Sequence, residues 1–144
     1  MDTFTPPPER STGTFHELGL DSRPGDLIGA VKAGLPVRIF DALAEALAVS
    51  EATLAGVTGV SSTTLTRRKR SGHFTPAESE HVLRIATLLG RASEVFGDAG
   101  DASTWLKTPN LALAGATPLA YADTEVGGRE VENLLGRIDY GVYS

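Results

Sequence analysis

The sequence predicts an all-α protein. Three observations carry this. Apolar residues recur at three- and four-residue spacing along most of the chain. Start signals (Ser, Thr or Pro ahead of an acidic residue) and glycine stops punctuate those stripes. No run of alternating β-branched residues bounded by hairpin turns occurs.

The elements follow in order. Residues 1–22 contain Pro6, Pro7, Pro8, Gly13 and Gly19 and no apolar periodicity, so they read as a flexible or extended arm. Pro24 opens a helix, because its missing N–H needs no partner in a first turn. Leu27, Ile28 and Val31 are expected on its inner face, and Gly34 ends it. Pro36 opens a second helix with the stripe Val37, Phe40, Leu43, Ala44 and Leu47. Ser50 caps a third, with Glu51 in its first turn. Thr75-Pro76-Ala77-Glu78 has the form of a capping box. The helix it starts carries Val82, Ile85, Ala86, Leu89 and Phe96 inward until Gly97 and Gly100 break it. Residues 101–107 form a short helix, Asn110 and Thr117 cap brief turns, and Thr124 starts a last helix with Val131, Leu134, Leu135 and Ile138 inward. The Gly127-Gly128 pair costs helix propensity, which implies close approach of a neighbouring segment. The stripes at 36–48 and 79–96 are also candidate dimer faces.

Length, composition and charge narrow the function. The chain has 144 residues with a net charge of −5 and 41% hydrophobic residues, a globular composition sufficient for one domain or two small ones sharing a core. It has no cysteine, which excludes disulfides, thiolate catalysis and cysteine-ligated metals. No stretch reaches the roughly 18–20 apolar residues of a membrane span, and the proline-rich Met1–Arg10 does not resemble a secretory signal. The expectation is a soluble, cytoplasmic protein. Its charge is unevenly placed: residues 61–97 are net +3 and residues 98–144 net −4.

The basic segment contains Arg67-Arg68-Lys69-Arg70, at the end of a helix-turn-helix candidate spanning 51–70. Gly59 lies at the expected left-handed turn, Val60 plugs it and Leu65 anchors the second helix. That helix would expose Ser61, Ser62, Thr63, Thr66, Arg67 and Arg70, whose hydroxyls and guanidinium groups suit base edges and phosphates. Thr58 and Arg68 stand where an apolar residue is usual. The competing reading is a helical hairpin with a merely solvated basic face. His73 is assigned no role.

Catalytic signatures are missing. His16, His73 and His81 form no HExxH or similar spacing, and neither a phosphate loop nor a GxSxG elbow occurs. Glu78 and Glu80, two residues apart, point to different faces of a helix. No enzymatic activity, cofactor or metal is expected.

The block 105–144, with Trp105-Leu106, Pro109-Asn110-Leu111-Ala112-Leu113, Pro118-Leu119, Gly127 and the ending Arg137-Ile138-Asp139-Tyr140-Gly141-Val142-Tyr143-Ser144, resembles the toxin-binding domain of the Xre/MbcA/ParS antitoxins. Upstream, the helix-turn-helix candidate and residues 74–98 are similar to that family's Xre-like region. The resemblance implies an Xre-like helical domain at 23–97 followed by a small helical toxin-binding domain at 98–144. It implies an antitoxin that neutralises a cognate RES-domain, NAD-consuming toxin by occluding its NAD site. A homodimer within the toxin–antitoxin complex and operator binding for autoregulation are also implied. Candidate toxin contacts are Trp105, Arg129, Arg137, Tyr140, Tyr143 and the C-terminal Ser144: guanidinium groups suit a phosphate subsite, and tyrosine rings can stack where a base would. Trp105 is equally readable as a core residue, and Arg137 as a solvated one. The alternative function is a helix-turn-helix regulator without a toxin partner. A structural dimerisation module is a third.

Overall fold

The computed structural model describes residues 10–20 and 23–141. The described residues are all-α, a helix-turn-helix region followed by a small helical C-terminal part. Its order is α1 (Arg10–Leu18), α2 (Pro24–Ala33), α3 (Val37–Leu47), α4 (Glu51–Thr58), α5 (Ser62–Ser71), α6 (Pro76–Phe96), α7 (Ala99–Leu106), a 3₁₀ turn (Leu111–Leu113), α8 (Pro118–Tyr121) and α9 (Glu125–Asp139). The described residues hold no strand, only an isolated bridge between Pro36 and His73. No described helix is long and apolar enough to cross a membrane.

The long helix α6 organises the fold. Thr75 Oγ1 accepts from the Glu78 amide while the Glu78 carboxylate accepts from the Thr75 amide, so the capping box forms with Pro76 in the first turn. Val82, Ile85, Ala86 and Leu89 are buried as expected, and Leu88, Gly90, Ala92 and Ser93 are buried too. Burial on more than one side follows from α6 packing against α1, α7 and α9. One apolar core joins both halves of the chain, from Leu35, Phe40 and Leu54 to Leu106, Val131 and Leu135.

Buried hydroxyls tie the helices together. Ser79 Oγ donates to the Thr75 carbonyl and accepts from the Leu35 amide. Ser103 Oγ on α7 donates to the Leu47 carbonyl at 2.7 Å, satisfying one of the open acceptors at the end of α3.

Four expectations are corrected. Residues 10–20 are not an extended arm: α1 packs on α6, with Phe15, Leu18 and Leu20 in the core. Their apolar partners lie far along the chain, so local periodicity carried little signal. Residues 1–9 and 21–22 lie outside the described residues. Ile28 points outward at 57% exposure, because α2 buries only Val31 fully and keeps Leu27 and Ala30 partly covered. Pro36 opens α3 as expected, standing at its N-cap. Gly100 does not end a helix but lies in the first turn of α7, which Asp98 caps through the Asp101 amide. The stripes of α3 and α6 are no dimer faces, since this chain's own core consumes them.

Candidate functional site

Two surfaces emerge, one around α5 and one on the C-terminal domain. The first begins with α4. Ser50 caps it through the Thr53 amide, and Gly59 ends it at φ 71°. Val60 is buried in the turn, and Ser61 caps α5 by accepting from the Thr64 amide. The helix-turn-helix geometry is therefore set by the residues that predicted it.

Both departures from the usual pattern acquire partners. Thr58 is buried, and its hydroxyl donates to the Leu54 and Ala55 carbonyls, so the polar group is satisfied within α4. Arg68 turns inward and grips Glu78 of α6, with Nε to Oε1 at 2.7 Å and Nη2 to Oε2 at 3.0 Å. This pair holds the Glu78 carboxyl below its ordinary range. A second clamp comes from His81 on α6, whose Nδ1–H donates to the Thr58 carbonyl at the end of α4.

The basic run therefore divides. Lys69 Nζ bonds both carboxylate oxygens of Glu51, at 2.7 and 2.9 Å, and lowers that acid. Asp41 beside them is pushed up by its own partial burial and then by Glu51. Arg67 and Arg70 are exposed, as are Ser61, Ser62, Thr63 and Thr66. From Ser62 to Arg70 these positions occupy about 140° of the helix circumference, a single outward face. Two hydroxyls are partly committed: Ser61 serves as the cap, and Thr66 Oγ1 donates to the Ser62 carbonyl. What remains is an outward face with two guanidinium groups, suited to a polyanion.

In the C-terminal domain, Gly127 and Gly128 show the close approach their sequence implied. A side chain at Gly127 would run into the Tyr121 carbonyl oxygen, and one at Gly128 would meet the Arg84 stem at 3.1 Å. The backbone of α9 thus lies against both α8 and α6. Arg129, Arg137 and Tyr140 project from one exposed side of α9, spread over about 16 Å of its length. Arg129 is bonded to Glu125 at 3.1 Å, and Tyr140 is 82% exposed. Trp105 is not on this face. It is partly buried on α7, its ring 5.4 Å from that of Phe96. Tyr143 and Ser144 lie outside the described residues.

One exposed side chain escaped the sequence reading. Leu111 is 94% exposed, more than any other large apolar residue described. The available signal was local: residues 108–122 contain no charged residue.

Comparison with known proteins matches these two regions separately. Residues 26–86 match the antitoxin Xre-like helix-turn-helix domain. Residues 91–141 match the antitoxin Xre/MbcA/ParS C-terminal toxin-binding domain. The two matches meet inside α6. Over the full length of both chains, the sequence is 35% identical to an "Antitoxin Xre" of Yersinia enterocolitica and 32% identical to one of Photorhabdus laumondii. A "Prs ADP-ribosylating antitoxin" of a Sphingobium species is 25% identical over 84% of this chain and 82% of its own.

Proposed function

The chain belongs to the Xre antitoxin family, and from that premise we propose that it neutralises a cognate RES-domain toxin by covering the entrance to the toxin's NAD site with its C-terminal region. The observation that carries this reading is the outward face of α9, with Arg129, Arg137 and Tyr140 exposed in the toxin-binding domain. An NAD site must hold a pyrophosphate and two rings. A guanidinium supplies the charge and fork geometry of a phosphate or carboxylate partner. A tyrosine supplies a flat ring for the space of a base. The name of the Sphingobium relative couples an antitoxin to ADP-ribosylation, a reaction that consumes NAD, which supports the same chemistry.

The reading extends to operator DNA. Helix α5 enters the major groove with Ser62, Thr63 and Thr66 toward the bases, while Arg67 and Arg70 neutralise phosphates. Two copies in a cytoplasmic toxin–antitoxin complex would address two half-sites. A regulator without a toxin partner is the alternative that this face of α5 favours. Co-expression with the product of a neighbouring RES-domain gene separates them. The antitoxin reading predicts co-purification and preserved cellular NAD, whereas NAD depletion without a complex leaves only the regulator.

A further inference from the structure

We propose that Leu111 is a preformed anchor that seats in an apolar pocket of the toxin, separate from the α9 face assigned to occlusion. The inference rests on the toxin-binding reading and adds a division of labour within it: the leucine supplies affinity, and the end of α9 supplies inhibition.

The loop is built to hold this side chain out. Six hydrogen bonds close residues 110–116 on themselves. The Asn110 amide donates to the Ala116 carbonyl, and the Asn110 carbonyl accepts from the Leu113 and Gly115 amides. Asn110 Oδ1 accepts from the Ala112 amide at 2.9 Å. Leu113 is buried beneath, and Ala114 and Gly115 follow with φ of 57° and 85°. A left-handed alanine is strained, and strain of this kind persists where the surrounding structure enforces it. The geometry fixes Leu111 at the tip, so little freedom remains to be lost on association.

The surroundings suit a dry contact. The uncharged run 108–122 exposes Leu111, Ala112, Ala114, Ala120 and Tyr121, so it is surface and not only core. Charge depletion with an apolar centre is the composition of an interface core. The occupant is argued by fit. A projecting leucine needs an apolar recess, and two grooves among the described residues that a second copy could offer both carry charge at the mouth. The groove between α6 and α9 is rimmed by Glu80, Arg84 and Glu132. The smaller one beside Ala42 and Ala46 is rimmed by Glu17 and Glu45. The loop also lies wholly within the region matching the toxin-binding domain.

The test compares full-length Leu111→Asp and Leu111→Met with the wild type and with a chain ending at Asp139, against the co-expressed RES-domain protein. Binding is followed by calorimetry and folding by thermal unfolding. Because Leu111 is so exposed, Leu111→Asp is expected to melt with the wild type while raising Kd tenfold or more, about the worth of one buried leucine. Leu111→Met is expected to restore most of the affinity, and the shortened chain to bind but inhibit poorly. Wild-type affinity in Leu111→Asp would overturn the anchor while leaving toxin binding intact. A shift of the free protein from dimer to monomer in Leu111→Asp would assign the leucine to self-association and overturn it also. Failure of the wild type to bind any RES-domain partner would overturn the parent reading and this inference together.

Discussion

Arg68 and Glu78 form a two-pronged ion pair, with nitrogen–oxygen distances of 2.7 and 3.0 Å, that fastens α5 to the first turn of α6. The same carboxylate closes the capping box by accepting from the Thr75 amide. One residue therefore starts the longest helix and positions the candidate DNA-reading helix. An arginine where an apolar residue is usual is thus compatible with the fold, because its charge is answered by a geometry that suits a guanidinium.

Acid should weaken this link. Arg68 first, and the Thr75 amide after it, hold Glu78 below its ordinary value of 4.5. A carboxylate depressed in the folded state adds stability above its unfolded value and loses it as pH falls through the folded one. The urea midpoint of the wild type is expected to fall more steeply between about pH 6 and pH 3 than that of Glu78→Gln, which starts lower at neutral pH. Parallel curves would show that the pair contributes nothing to stability.

The two adjacent glycines of α9 should respond differently. Gly127→Ala drives a methyl group into the Tyr121 backbone carbonyl and is expected to cost about 2 kcal/mol or more. Gly128→Ala displaces only the flexible Arg84 stem, and the gain in helix propensity of about 1 kcal/mol offsets that. It should remain within about 1 kcal/mol of the wild type. Chemical denaturation of the two variants measures the contrast.

The four consecutive basic residues should contribute unequally to DNA binding. Arg67 and Arg70 are exposed on the outward face, whereas Arg68 is held by Glu78 and Lys69 by Glu51. Arg67→Ala with Arg70→Ala is expected to reduce the slope of log K against log salt by about 2. Lys69→Ala should change it less. Operator titrations at several salt concentrations measure this, and an unchanged slope in the double variant would place the phosphate contacts elsewhere.

Features fixed by near neighbours were legible in the sequence. Ser50, Thr75, Asn110, Thr117 and Thr124 all cap the elements that they were expected to cap. The stripe from Val37 to Leu47 is buried, and the glycine pair marks a close contact. What escaped depends on distant partners. Helix α1 exists because Phe15 and Leu18 join a core shared with α6. Ile28 has helical spacing but no neighbour to cover it. For Arg68, sequence spacing points inward, but its partner Glu78 reads from the sequence only as a capping residue. Leu111 looked like one more apolar residue, and only the closed loop shows that it faces outward.

The C-terminal region of this antitoxin is proposed to block the toxin's NAD site. The most direct measurement is NAD turnover by the purified RES-domain partner, titrated with the full-length chain and with one ending at Asp139. That cut removes Tyr140 and the residues after it while keeping the buried Val131, Leu134 and Leu135. The full chain is expected to stop turnover at saturation, and the shortened chain to stay folded and bound but to leave substantial NAD consumption. Complete inhibition by the shortened chain would contradict that proposal.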